Sequence, residues 1–561
     1  MVTVAWSASS DLDGLVKDAL DELSNQEFIR NQERGRDLRN KMEPRSDIYL
    51  DSEIDANSGK IPNGEHPCFI IERIELEGTG AKPFQWALAA ANEKQDSPIN
   101  RCLGVNGINL VISRVQNALI RHGYITSRVF IGQQNLRSGT LTLTIMSGTI
   151  AEIKAVDEEQ SFIVFGNAIP TASNKILNLR DIEQALENLK RVPTADADIA
   201  IAPSANGRPG ASDLLVSYHQ GFPLRFSMSV DDAGSKGTGV YQGSVTVSVD
   251  NPLRLSDLFY VSFNHDLGGG DAGRRGSESK TVHYSLPFRY WLMSVTANAS
   301  DYYQSVAGLT ETYIYSGQNE QVDLALSRVV WRNAQSKLLL QTQLTHKKSW
   351  NFIDDTEVKV QRRAITSWKA GVNYRTRFGQ SSWDNTLAYR RGVGAFGAMR
   401  APEEAYGEGT SRFQIWTADS YFSMPVMLLG ANLRYSATGR MQINQTKLLP
   451  QERFSIGGRY TVRGFDGVSS LMGERGVLLR NDLGWRLPIR HYTEPYIGLD
   501  FGRVGGPTSQ SLAGQTLIGT ALGLKGQWQG FYYDAFYGWS LHQPSRFTSS
   551  NTFGFSVNYS F

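Results

Sequence analysis

The last eleven residues, Asn551–Phe561 (NTFGFSVNYSF), decide how the rest of the chain is read. Phe553, Phe555, Val557, Tyr559 and Phe561 occupy every second position, with Gly554, Ser556, Asn558 and Ser560 between them. Strict alternation marks a strand with one apolar and one polar face. The termini of water-soluble domains fray, so the greasiest strand of such a domain is out of place there. A strand whose outer face meets lipid and whose inner face meets water fits the pattern.

Composition agrees with that reading. The 561 residues are enough for two or more domains. Hydrophobic residues make up 40% and the mean hydropathy is −0.32. No run approaches the ~20 apolar residues that a spanning helix needs, which excludes a helical membrane protein but not a β-barrel. Of the 59 aromatic residues, 11 precede Phe222 and 48 follow from it, and glycine divides 16 to 38 at the same point. A modest N-terminal part therefore precedes a long segment rich in aromatics and glycine.

A net charge of +2 points to no polyanionic partner, and no Lys/Arg stripe with interleaved aromatics suggests nucleic acid. Cys68 and Cys102 lack the second pair of a CxxC…CxxC zinc site. They are either two unrelated buried thiols or one disulfide formed in an oxidising compartment. The disulfide is favoured, and in the chain-entropy account its loop is worth roughly 4 kcal/mol. The opening MVTVAWSASS lacks the charged and apolar regions of a secretory signal, so the numbering is expected to begin near a mature or engineered N-terminus.

Along the chain, Ser10 to Phe28 reads as a helix. Leu12, Leu15, Val16, Ala19, Leu20 and Leu23 form its apolar face, and Ser10 with Asp13 is a capping pair. The polar stretch that follows, to about residue 66, has no periodicity and reads as a flexible linker. Two copies of a small α+β plan come next. The first runs FIIERIEL, PFQWALAAAN, NGINLVISRVQNALIRHG, TSRVFI, GTLTLTIM; the second runs TIAEIKAV, LRDIEQALENLKRV, ADADIAIAPS, SDLLVSYH. From Phe222 onward every legible element alternates, as in YQGSVTVSVDNP and GFYYDAFYGWSLHQ, and no helix is convincing. At ~10 residues per strand with loops of similar length, this part holds roughly sixteen strands. An even number closes into a barrel, the sheet that crosses lipid without exposed edges.

Four stretches resemble the outer-membrane transporters of two-partner secretion (the TpsB family), within the Omp85 superfamily. LNLRDIEQALENLKRVP with PGASDLLVSY is similar to the family's second POTRA module. GGRYTVRGF resembles its lid-loop motif, here Val462, Arg463, Gly464 and Phe465. LLRNDLGW follows as a barrel strand, and GLDFG matches the motif whose aspartate, Asp500, faces the lumen. CFIIERIELEG and CLGVNGINLVISRVQNALIRHGYITSRV resemble the branch that secretes haemolysins and contact-dependent-inhibition toxins.

The resemblance implies a plug helix at 1–30, a linker at 31–66, POTRA modules at 67–148 and 149–221, and a barrel at 222–561 with an inward lid loop at about 450–474. It implies a mainly β outer-membrane pore, monomeric, with periplasmic POTRA modules that bind the N-terminal secretion domain of one large exoprotein. That exoprotein crosses without ATP. Tyr559 and Phe561 become the signal read by the barrel-assembly machinery.

Arg463 and Asp500 are expected to form an ion pair that pins the lid. In YIGLDFGRV, Tyr496, Gly498, Asp500 and Gly502 share one face while Ile497, Leu499 and Phe501 share the other, which faces lipid. The alternative is two ordinary solvated lumen charges worth about 0–1 kcal/mol.

No catalytic residue, metal site or cofactor is expected. GGGDAG (Gly268–Gly273) leads into RRGSESK and not a helix, so it is a hairpin loop and not a phosphate cradle. The eight histidines are scattered without HExxH, and GxSxG is missing. The main rival function is an Omp85-type membrane-protein insertase, whose relatives usually carry more POTRA modules and no tethered helix.

Overall fold

The computed structural model describes residues 26–43, 46–51, 59–92, 96–156, 165–205, 208–308 and 311–561. Sixteen long antiparallel strands close into a barrel, from Leu224–Asp231 to Thr552–Ser560. Each pairs with its sequence neighbour, and a two-residue strand, Thr356–Glu357, adds a small ladder within one loop. Alternation does the sorting. On Tyr492–Gly505, Ile497 and Leu499 are about half exposed on the outer wall, whereas Asp500 is 0% exposed. Outside, apolar side chains such as Phe263, Val295, Leu324, Leu387 and Leu522 form the surface that lipid covers.

The ladder is uneven. Trp291–Ala307 and Thr312–Arg332 share 17 register pairs, but the closing strand meets the first over only five, Ser556↔Asp231 to Ser560↔Ser227. Phe561 extends that seam, exchanging two backbone hydrogen bonds of 3.1 Å with Phe226, on which its ring stacks at 5.5 Å.

The first POTRA module has a sheet of Arg73–Glu77, Thr140–Met146 and Arg128–Ile131 against the helix Val105–Arg121. Val111, Val115 and Leu119 recur at helical spacing and are fully buried with Leu141 and Leu143. FIIERIEL, expected as one strand, is two. Phe69–Ile71 pairs antiparallel with Arg101–Leu103, and Arg73–Glu77 runs parallel to Thr140–Met146, because at Glu72 the chain changes sheet partner. Cys68 and Cys102 are disulfide-bonded beside the first of these ladders. The second module repeats the plan with Thr149–Ala155, Ala211–Gln220 and Ala195–Pro203 over the helix Leu179–Leu189, which Asn178 caps at 2.8 Å.

This second module sits on the short connections at one end of the barrel. Asn167 donates to the carbonyls of Leu255 (2.6 Å) and Pro287 (3.1 Å), and Asn188 donates to that of Arg289 at 2.8 Å. The long connections, including the lid, leave the opposite end.

The linker expectation requires correction. Residues 26–42 are helical, and 59–66 include Ile61, which is 3% exposed in the first module's core. Leu12, Leu15, Val16, Ala19, Leu20 and Leu23, the expected apolar face of the plug, lie outside the described residues. Among the described residues, the helix that enters the lumen is the polar stretch 26–42. It shows no apolar stripe because its surroundings are polar side chains rather than a hydrocarbon core.

Candidate functional site: the lumen, its helix and its lid

Among the described residues, two inserts occupy the lumen. The helix 26–42 is held by side chains of the inner wall and of the loop 232–240, and by the lid, where the Gly467 carbonyl accepts from Arg30 at 2.7 Å. Glu33 pairs with Arg440 (2.8 and 3.2 Å), Arg34 donates to Asn264 (3.0 Å), and Thr238 donates to Glu27 (2.9 Å). Lys347 stands 4.8 Å from the centre of the Phe28 ring. A cavity of about 470 Å³ remains between helix, wall and lid. At the helix end, Glu43 meets Arg191 of the second POTRA module at 2.5 Å and His283 of the wall at 3.1 Å. Met42 packs with Val192, Leu258 and Tyr260. One short stretch thus touches helix, POTRA module and barrel together.

The lid joins the strands Ala431–Asn444 and Arg475–Trp485. Its stem is the ladder Phe454–Ile456 with Leu471–Gly473, and its tip carries Val462, Arg463, Gly464 and Phe465. Val462, Arg463 and Phe465 are at most 2% exposed. Arg463 grips Asp500 in the forked manner a guanidinium allows: Nε to Oδ2 at 2.8 Å and Nη2 to Oδ1 at 2.7 Å. Its backbone N–H adds a third bond to Oδ2 at 2.9 Å. A residue that uses both side chain and main chain on one carboxylate fixes the loop tip, not only its own head group.

Two glycines make this approach possible. Gly464 adopts φ +97°, and a Cβ there would stand 2.4 Å from the Trp539 carbonyl. At Gly498, a Cβ would lie 2.4 Å from Arg463 Nη2, so the glycine beside Asp500 keeps the guanidinium's space open.

Three features of the lid were missed by sequence reading. Asp482 is a second carboxylate on Arg463, at 2.6 Å. Alternation within LLRNDLGW points it inward, and that was the available signal. Glu452 at the lid's root is 4% exposed and pairs with Lys347 (2.8 Å) and Arg390 (2.9 Å) from the wall. Nothing local identifies it, since its partners are some 60 to 100 residues away in sequence. Ile456, Val462, Phe465, Leu471, Leu478, Val504, Leu517 and Phe547 form an apolar cushion beneath the tip, so the lumen is not uniformly polar.

Tyr559 and Phe561 lie far from the lid, on the outer wall at the closing seam, where Phe561 is 64% exposed and Tyr559 packs on Phe531 at 4.5 Å. Cys68 and Cys102 belong to the first POTRA module and touch neither lumen nor lid. Among the described residues no cluster of His, Cys, Asp and Glu could hold a metal ion.

The sequence profile of the haemolysin secretion/activation protein family ShlB/FhaC/HecB matches residues 210–526. The ShlB-type POTRA profile matches 69–148 and a second POTRA profile matches 149–203. The outer membrane transporter CdiB-2 of Burkholderia pseudomallei is 35% identical over 89% of this chain and 87% of its own length. The haemolysin transporter protein HpmB of Proteus mirabilis is 25% identical over 79% of this chain and 77% of its own. Among solved structures, CdiB from Acinetobacter baumannii superposes with a TM-score of 0.84 at 29% identity, covering 97% of this chain and 99% of that one. The chain belongs to the ShlB/FhaC/HecB family, the TpsB outer-membrane transporters, whose POTRA modules lie in the periplasm.

Proposed function

We propose that this chain is the pore of a two-partner secretion pair. It captures the N-terminal secretion domain of one large toxin, haemolysin or adhesin at its POTRA modules and passes the unfolded chain through the barrel. It works as a monomer in outer-membrane lipid, after insertion by the barrel-assembly machinery that reads Tyr559 and Phe561. It is a transporter and not an enzyme. Folding of the exoprotein outside, rather than ATP, gives direction.

The observation that carries this reading is the way the lumen is filled. The helix 26–42 joins no wall strand by backbone pairing; side chains hold it, and about 470 Å³ of cavity already lies beside it. A barrel built only to stay shut needs no such removable part. Arg463 and Asp500 hold the lid to the wall, keeping the route shaped while the helix moves.

The test is secretion from cells carrying the exoprotein with this chain deleted and then restored. The exoprotein should accumulate in the periplasm without the chain and reach the surface with it. Normal export without the chain, together with a broad loss of outer-membrane proteins, would instead identify an insertase.

A further inference from the structure

Residues Ser46, Asp47, Ile48, Tyr49 and Leu50 fall in the stretch that sequence reading treated as linker, yet they are seated on the second POTRA helix, Leu179–Leu189. The seat is specific. The backbone N–H of Ile48 donates to Glu187 Oε1 at 3.0 Å and that of Leu50 donates to Glu183 Oε1 at 2.8 Å. The Ile48 carbonyl accepts from Arg332 of the barrel at 2.9 Å. Ile48 and Leu50 pack against the module's apolar core, and Tyr49 turns the other way, 5.2 Å beneath the Arg377 guanidinium. Asp47 pairs with Lys337 and, at 3.1 Å, with Arg375.

Two glutamates one helical turn apart, i and i+4, thus read the main chain of an extended segment. Both are buried, and burial pushes the Glu183 carboxyl up, opposed by Arg332 and the Leu50 N–H. Arg332 meets Glu183 at 3.0 Å and Glu187 at 3.2 Å, so the barrel rim supplies the opposing charge. Backbone recognition tolerates many sequences, while the apolar floor and the cationic rim select a pattern.

We infer that this groove is a docking site for the exoprotein, and that Ser46–Leu50 occupies it in the resting state as a stand-in. The segment it takes is extended, with an acidic residue followed by aliphatic residues one and three positions later, the pattern of Asp47, Ile48 and Leu50. This rests on the secretion reading above and deepens it. The position of the stand-in gives it a consequence. Only residues 44 and 45 separate Ser46 from Glu43, the anchor of the lumen helix on Arg191 and His283. An exoprotein segment that displaces Ser46–Leu50 removes the tether's hold next to that anchor. Capture in the periplasm is thereby linked to release of the plug.

The test uses the full chain in detergent micelles and a fluorescein-labelled peptide of the sequence PRSDIYLDS, residues 44–52. A second form of the protein carries Gly and Ser in place of Ser46–Leu50. A groove filled nine-tenths of the time by its own tether binds an outside ligand about tenfold more weakly, so the peptide should bind the replaced form about tenfold or more tightly than the wild type. A peptide with Ile48→Ser and Leu50→Ser should lose that binding. If the replaced form does not fold, scored by heat-modifiability, the variant Ile48→Ser/Leu50→Ser of the full chain should show the same gain.

In the second arm, the secretion domain of the co-encoded exoprotein should displace the peptide from the replaced form. Equal peptide affinity for wild type and replaced protein overturns the stand-in. A secretion domain that binds without displacing the peptide overturns the docking site and leaves the secretion reading intact. Tight peptide binding with no binding of the secretion domain anywhere on the chain counts against the secretion reading and removes the exoprotein as the groove's ligand.

Discussion

Among the described residues, the lumen holds two inserts that are built on opposite terms. The lid is continuous with barrel strands at both ends, and its tip is locked by Arg463 and Asp500, 2% and 0% exposed. The helix 26–42 enters from the POTRA side and relies on partly exposed pairs such as Glu33–Arg440, 15% and 20% exposed. Removing one partner of a buried, fully bonded pair leaves an uncompensated charge and costs about 3–5 kcal/mol. An ion pair that water still reaches is worth less, down to about 0–1 kcal/mol when it is fully solvated. The difference supports the proposal that the lid is a fixture of the wall and the helix the part that leaves.

The largest effect expected from that contrast is on the lid. Arg463→Ala or Asp500→Ala should leave a folded, heat-modifiable barrel and lower secretion about tenfold or more, since a loss of about 3 kcal/mol at the tip undocks the loop. Arg463→Lys should recover little, because an ammonium cannot make the two parallel bonds of the fork. Normal secretion by both alanine variants at equal membrane levels would make the lid no firmer than the helix and end the comparison.

Gly498→Val attacks the same lock from the wall. Its side chain enters the space of the Arg463 guanidinium, which a Cβ would already approach to 2.4 Å. The expected fall in secretion is smaller than for Arg463→Ala, roughly severalfold, because overpacking costs about 1–3 kcal/mol. Secretion at wild-type rate would show that the guanidinium has another seat.

Deleting Phe561 touches neither insert. It should lower the yield of folded barrel without altering secretion per folded molecule, because the residue extends a closing seam of only five strand pairs. Unchanged yield on gels would remove Phe561 from the assembly signal.

The smallest effect on transport is expected in the first POTRA module. Burial works against ionisation of Asp96, yet bonds from the Ile61 N–H, Arg114 and Arg101 hold its carboxyl below the ordinary 3.8. A depressed folded-state value means the stabilisation is present above 3.8 and is lost as pH falls through the lower folded value. Asp96→Asn should therefore flatten the acid limb of the module's unfolding curve while sparing conductance. An unchanged acid limb would place its pH sensitivity elsewhere.

Sequence and structure agree where period and motif act locally. Alternation at Phe553–Phe561 identified a barrel wall, and the inward face of Tyr496, Gly498, Asp500 and Gly502 was legible from the same rule. Agreement ended where long-range polar contacts decide. The helix 26–42 has no apolar stripe to betray it, since Arg34, Glu33 and Glu27 bond to barrel and loop residues hundreds of positions away. Ile48 and Leu50 look like linker for the same reason: their partners Glu183 and Glu187 belong to another domain. Such segments read as linkers until their surroundings are known.

We propose that the helix 26–42, and not the lid, is the part that opens the pore. Single-channel conductance in planar bilayers tests it directly, comparing the intact chain, a form lacking residues 1–43, and Arg463→Ala. Deletion should give a large rise and Arg463→Ala little change, since a tip freed from Asp500 remains tied to the lumen by the strands at both ends of the lid. Unchanged conductance after deletion, or a rise confined to Arg463→Ala, would contradict it.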